Sequence, residues 1–67
     1  MISARNQFKG TIKTVNVGNV MAEVIVSVGN MEIVSLISRA SAEQLALRAG
    51  DSVKAIIKST EVMIARP

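Results

Sequence analysis

Residues 20–37 read VMAEVIVSVGNMEIVSLI, and this stretch decides the fold. In residues 20–28, small apolar side chains recur at every second position, which is the period of a β-strand with one face against a core. Gly29-Asn30 follows, and such a dipeptide favours a tight hairpin turn. Residues 31–37 continue in an apolar, β-branched pattern. The stretch therefore predicts an antiparallel hairpin around which the rest of the sheet forms.

Similar patterns occur on both sides of this hairpin. Residues 8–15 alternate, with Ile12 and Thr14 expected on one face and the lysines on the other, and residues 16–19 read as a turn. Residues 52–58 predict a fourth strand. A turn near residues 59–61 then leads into a fifth strand, expected over residues 62–65.

One segment has a different period. Ser41-Ala42-Glu43-Gln44 has the form of a helix capping box, with good helix formers behind it. Gly50 is placed to end the helix, so we expect a helix over about residues 41–49. The element order β-β-β-α-β-β predicts a mainly β fold, a small five-stranded OB-like barrel with one short helix between strands 3 and 4. An open sheet with the helix packed on one face is the alternative.

Length and composition limit how this domain is stabilised. Sixty-seven residues form one small domain, and the absence of Cys and His excludes disulfides, ordinary zinc sites and Cys–His catalysis. Several strands are apolar on both faces, so we expect copies of the chain to cover the second face. No apolar run approaches the roughly 20 residues of a membrane span, and the opening lacks a signal peptide. We therefore expect a cytoplasmic location.

The amino-terminal residues 3–7, SARNQ, are rich in hydrogen-bond donors and contain no carboxylate. Together with a net charge of +3, this composition indicates an anionic partner. Phe8 is the single aromatic residue, which argues against the base stacking that single-stranded nucleic acid needs. No pair of groups offers recognisable acid–base or nucleophilic machinery, so an enzyme is not expected.

These residues also resemble a known family. Residues 3–10, SARNQFKG, are similar to the opening of the molybdenum-binding Mop domains, the molbindins. Residues 53–65, VKAIIKSTEVMIA, look like the closing hairpin of the same family. The resemblance covers residues 1–67 as a single Mop domain. Because there is no helix-turn-helix and no phosphate-loop motif, the resemblance is to the free-standing form.

The resemblance implies an OB-like barrel in a homohexamer, a trimer of dimers, that stores molybdate and often tungstate. It implies no organic cofactor and no nucleic-acid or membrane partner. The anions lie between subunits in this family, with one wall of the site from one subunit and the other wall from its neighbour. Carried over to this sequence, the first wall comprises Ser3, Ala4, Arg5, Lys58 and Ser59, and the second comprises Ser38 and Ser41.

The chemistry of these residue types suits such a ligand. Molybdate is a tetrahedral dianion whose oxygens only accept hydrogen bonds, and Ser, Arg, Lys and backbone N–H groups can all donate. Ser41, at the expected helix start, would add backbone N–H groups. Two alternatives remain open: an OB-type nucleic-acid-binding module and a purely structural oligomerisation domain.

Overall fold

A single antiparallel sheet dominates the computed structural model of the protein, which describes residues 5–67. Its strands lie in the order β3-β2-β1-β4, and every neighbouring pair is antiparallel. The mainly β class and the single helix between the third and fourth strands are confirmed. In chain order the elements are β1 (Asn6–Val17), β2 (Met21–Val28), β3 (Met31–Ser38), α1 (Arg39–Gln44), β4 (Ser52–Ile57) and a 3₁₀ helix (Ser59–Glu61).

The predicted hairpin is present. Val28 pairs with Met31, so the loop between β2 and β3 has two residues. Gly29 has φ +59°, whereas Asn30 is not among the residues with positive φ, and this pattern matches a type II′ turn. The alternating valines of β2 point into the core, with Val24 and Val26 both only 4% exposed.

A β-bulge interrupts β1 at Lys13. Ile12 pairs with Val26 and Thr14 pairs with Ile25, so one residue of β1 has no counterpart on β2. The extra residue moves Thr14 to the outer face and turns the following valines inward. The prediction that Ile12 and Thr14 share a face was therefore wrong, because simple alternation cannot register an inserted residue.

Gly10, before the bulge, allows β1 to approach β2 closely. A Cβ atom at this position would lie 2.5 Å from the carbonyl oxygen of Ser27 and 2.8 Å from a methyl of Val26. Real Cβ atoms do not approach a backbone oxygen so closely. The absence of a side chain at Gly10 is therefore a condition for the close approach of β1 to β2.

The helix begins earlier than predicted. Ser38, the last residue of β3, is its N-cap and keeps an extended backbone, with φ −67° and ψ 149°. The Ser38 hydroxyl accepts the backbone N–H of Ser41 at 3.0 Å, which satisfies one of the unpaired donors of the first turn. The prediction of Ser41 as the capping residue was wrong, because another serine three residues earlier occupies that position.

The helix also ends earlier, at Gln44. The N–H of Leu47 donates to the carbonyl of Ala42 at 3.3 Å, and the N–H of Ala46 donates to that of Glu43 at 3.0 Å. These two bonds form a Schellman motif, with Ala46 in the left-handed conformation at φ +51°. Gly50 was predicted to end the helix, and this prediction was wrong. Gly50 lies instead in the turn before β4.

Residues 62–67 form no strand in this single chain. They follow the 3₁₀ helix at Ser59–Glu61, and β3 and β4 are the two edges of the sheet. The fifth strand and the closed barrel therefore stay predictions.

The core of the described chain is small. It holds five buried hydrophobic side chains, those of Ile12, Ala22, Val24, Val26 and Ala42. The outer face of β3 remains apolar and open, with Val34 59% and Leu36 67% exposed. Within residues 5–67, no helix has the length and apolar character needed to cross a membrane.

We expect Ala46→Gly to stabilise the protein. An alanine in the left-handed region costs roughly 1 kcal/mol that glycine does not incur, partly offset by the greater freedom of glycine in the unfolded chain. Urea unfolding followed by circular dichroism measures the change. Ala40→Gly, in the exposed first turn of α1, is the control and should destabilise by about 0.5–1 kcal/mol. A loss of stability from Ala46→Gly would contradict the argument.

Candidate functional site

The pairing of β1 with β4 brings the first set of candidate residues together. Asn6 and Ile57 form the last pair of the two strands, so Arg5 and Lys58 are the residues directly beyond that pair. Ser59 begins the 3₁₀ helix directly afterwards. Arg5, Lys58 and Ser59 are all exposed. We call these three residues the cationic end. Ser3 and Ala4, predicted for the same wall, lie outside the described residues.

The cationic end carries charge that no ion pair within residues 5–67 neutralises. Among residues 5–67, ion pairs join Lys13 to Glu32 at 2.5 Å and Arg39 to Glu43 at 2.6 Å, and neither Arg5 nor Lys58 takes part in one. Two adjacent cations without an anionic partner repel each other. An anion bound between them would relieve this repulsion and accept hydrogen bonds from both.

The second set of candidate residues lies at the junction of β3 and α1. The Ser38 hydroxyl accepts the Ser41 N–H and donates to the Ser41 hydroxyl at 2.8 Å. A hydroxyl has one proton and two acceptor sites, so the proton of Ser41 remains available for a further acceptor. We call Ser38 and Ser41 the hydroxyl pair. Both side chains are exposed.

The start of α1 offers fewer free backbone donors than the sequence suggested. The Arg39 N–H donates to the carbonyl of Val20 at 2.8 Å, and the Ser41 N–H is bound to Ser38. The helix has only six residues, which limits the positive potential at its start. The serine hydroxyls, more than the backbone N–H groups, therefore supply the hydrogen-bond donors at the start of α1.

Arg39 lies between the two serines and was not predicted as part of the site. Its Nε atom is 2.6 Å from a carboxylate oxygen of Glu43, one turn further along the helix. This pair neutralises Glu43, the carboxylate nearest in sequence to the hydroxyl pair. The spacing of four residues between Arg39 and Glu43 was the sequence signal for the contact.

The cationic end and the hydroxyl pair lie at opposite ends of the sheet. Arg5 precedes the first residue of β1, whereas Ser38 pairs with Met21, which follows the turn after the last residue of β1. Eleven steps of about 3.3 Å make β1 roughly 36 Å long if straight, and the longest extent of the molecule is 35 Å. One chain therefore does not bring the two sets of residues to one ligand.

Phe8, the single aromatic residue, pairs with Ala55 on the inner face of the sheet and is half-buried. Within residues 5–67, no group of three acidic side chains could hold a metal cation.

Comparison with known proteins places the chain in a family. The TOBE domain family matches residues 2–64. Molybdenum-pterin-binding protein 3 of Clostridium pasteurianum is 47% identical over 94% of each sequence. The structure of MopII from Clostridium pasteurianum superposes with a TM-score of 0.93 at 43% identity, covering 98% of this chain and all of that one.

A third comparison concerns a larger protein. The cytoplasmic molybdate-binding protein ModG, solved with molybdate bound, has a TM-score of 0.82 at 38% identity. The match covers 88% of this chain and 43% of ModG. The fold is thus that of a small β domain found both alone and within longer chains. The chain belongs to the TOBE domain family, in its molybdenum-binding Mop group.

We expect Ser38→Ala to destabilise the protein by about 1 kcal/mol, because it removes the cap of α1. Ser38→Asp should recover most of this loss, since aspartate caps helices equally well. Thermal and urea unfolding measure both effects. Ser52→Ala, at an exposed position of β4, is the control for losing a serine hydroxyl. Equal stability of Ser38→Ala and Ser52→Ala would show that the cap contributes nothing.

Proposed function

We propose that this protein binds molybdate, and tungstate with it, for intracellular molybdenum storage and homeostasis. The observation that carries the proposal is the cationic end, where the register of β1 and β4 sets Arg5 beside Lys58 and neither cation has an ion-pair partner in the described chain. The relatives support the choice of ion, since they are named for molybdenum-pterin or molybdate binding.

The binding site, in this proposal, is completed by a second copy of the chain. The cationic end of one subunit faces the hydroxyl pair of its neighbour, because the two lie too far apart within one chain to share a ligand. We propose that Ser3 and Ala4 belong to the same wall of the site as the cationic end, to which Ser59 contributes a hydroxyl. Assembly as a homohexamer, a trimer of dimers, would repeat this contact around the oligomer.

The proposed role is non-catalytic and cytoplasmic. Donors that only hold an oxyanion need no acid–base pair, and storage requires reversible binding in place of turnover. The cytoplasmic location is supported by the similarity to ModG, which is described as a cytoplasmic protein.

We expect Arg5→Ala and Lys58→Ala each to weaken molybdate binding while the fold is kept. A hydrogen bond to an ionised acceptor contributes roughly 1.5–3 kcal/mol, so the dissociation constant should rise about 10- to 100-fold. Isothermal titration calorimetry at fixed ionic strength measures this change. Lys9→Ala removes the same charge from an exposed position of β1 and should bind normally. Unchanged binding in both variants would place the anion elsewhere.

Mixing two defective variants tests whether the site spans subunits. Arg5→Ala keeps the hydroxyl pair and Ser41→Ala keeps the cationic end, so oligomers refolded from both chains contain some intact sites. Recovery of tight binding in the mixture, absent from either variant alone, is the expected result. No recovery despite proven mixing would mean that both sets of residues act within one chain.

We expect an affinity order of molybdate and tungstate together, then sulfate, then phosphate. Phosphate near neutral pH carries a proton, and a site that presents mainly donors leaves it unpaired at a cost of roughly 1–3 kcal/mol. Sulfate lacks that proton and is disfavoured only by its smaller size. A competition titration at pH 7 and constant ionic strength tests the order. Phosphate displacing molybdate more effectively than sulfate would reveal an acceptor within the site.

A further inference from the structure

The outer face of β1 and β4 carries two lysines directly opposite each other. Lys9 of β1 pairs with Lys54 of β4 in the antiparallel register, and both side chains are exposed. The Cβ atoms of such opposed residues lie about 5 Å apart, and like charges there destabilise the sheet. Neither lysine takes part in an ion pair within residues 5–67. The strand register therefore holds together two positive charges that no carboxylate of the described chain neutralises.

The side chains around these two lysines are hydroxyls on one side and an apolar group on the other. Thr11 pairs with Ser52 two residues along from the lysines, and both are exposed. In the other direction, Ile56 follows Lys54 by two residues, so it lies on the same face, where it is 40% exposed. Neither strand contains an aspartate or a glutamate. We call Lys9, Thr11, Ser52, Lys54 and Ile56 the basic face.

The remaining lysine of β1 shows that the sheet neutralises a cation where a carboxylate is within reach. Lys13 contacts Glu32 of β3 at 2.5 Å, across the outer face of β2. The opposed lysines are thus a local conflict in a sheet that pairs charges elsewhere, and proteins retain such conflicts at functional sites. The basic face is also separate from the cationic end, which lies four positions further along both strands, roughly 13 Å away.

An acidic segment of a protein fits the basic face better than a nucleic acid does. Carboxylates would pair with the two lysines and accept hydrogen bonds from Thr11 and Ser52. An apolar side chain of the same segment would cover Ile56, as in protein interfaces that combine apolar contacts with a polar rim. A phosphate backbone supplies the negative charge but no apolar group beside it. The position of Ile56 next to Lys54 therefore favours a protein partner.

We propose that the basic face is a docking surface for a partner protein, which binds through a segment that carries carboxylates beside an apolar side chain. The contact uses exposed charges, so association is fast and is weakened by salt. Repulsion between the two lysines lowers the stability of the free chain, and the bound carboxylates remove it. This inference uses no property of the bound oxyanion, so it stands or falls separately from the proposed function.

An NMR titration of the ¹⁵N-labelled protein at low ionic strength tests the docking surface. The probe is a short synthetic peptide of glutamate and leucine, and a peptide with glutamine in place of glutamate is its control. The expected result is saturable amide shifts at Lys9, Thr11, Ser52 and Lys54 with the acidic peptide and none with the control. Shifts confined to other parts of the chain, or tighter binding of a double-stranded DNA oligonucleotide at the same residues, would overturn the proposal.

Charge reversal at one lysine should have opposite effects on stability and on binding. Lys54→Glu replaces the like-charge pair by an attractive one, so the midpoint of urea unfolding should rise. The same substitution should weaken binding of the acidic peptide about tenfold. Arg48→Glu makes the same change of charge at an exposed position outside the basic face and should bind the peptide normally. Equal affinities of the Lys54→Glu and Arg48→Glu variants would refute the docking surface.

A third variant separates this surface from the proposed oxyanion site. Arg5→Ala removes a charge from the cationic end and should leave peptide affinity unchanged, whatever its effect on molybdate. Loss of peptide binding in Arg5→Ala, with full binding in Lys54→Glu, would assign the peptide to the cationic end and contradict the proposal.

Discussion

The antiparallel pairing of β1 with both β2 and β4 is the constraint on which the other features of this molecule depend. Because β1 is twelve residues long, its two ends lie on opposite sides of the domain. At its first residue, the pairing with β4 places Arg5 next to Lys58. At its last residue, β1 leads into the turn before β2, and the end of β3 and the start of α1 lie next to that turn. The separation of the cationic end from the hydroxyl pair is thus a consequence of strand length and register, independent of any ligand.

The parts of the fold that the sequence predicted well are those encoded in short-range patterns. Alternation located four strands, and Gly29-Asn30 located the hairpin turn. The helix boundaries were missed because two serines three residues apart could each act as the cap, and the choice depends on where β3 ends. Neither the bulge at Lys13 nor the left-handed Ala46 could be located from the sequence, because neither position carries the Gly or Asn that usually marks such a conformation.

The candidate site shows the same division between local and long-range information. The residue types were identified from the sequence and from the family it resembles, and Arg5, Lys58, Ser38 and Ser41 all lie at exposed ends of elements. Their arrangement in two separate sets required the sheet order, which periodicity cannot supply. Arg39 was missed although its spacing of four residues from Glu43 signals an ion pair on a helix, and its guanidinium neutralises that carboxylate.

The bulge in β1 also has a genetic consequence. Lys13 is the one residue of this strand segment without a counterpart on β2, so its side chain can change at little cost. Its place in the chain can be lost as well. Deleting its codon would remove the bulge and put Thr14 directly after Ile12, so Thr14 would still face outward and Val15 and Val17 would still face the core. Position 13 should therefore tolerate both substitution and deletion, whereas a deletion in β1 far from the bulge would turn the side chains on one side of it to the opposite face.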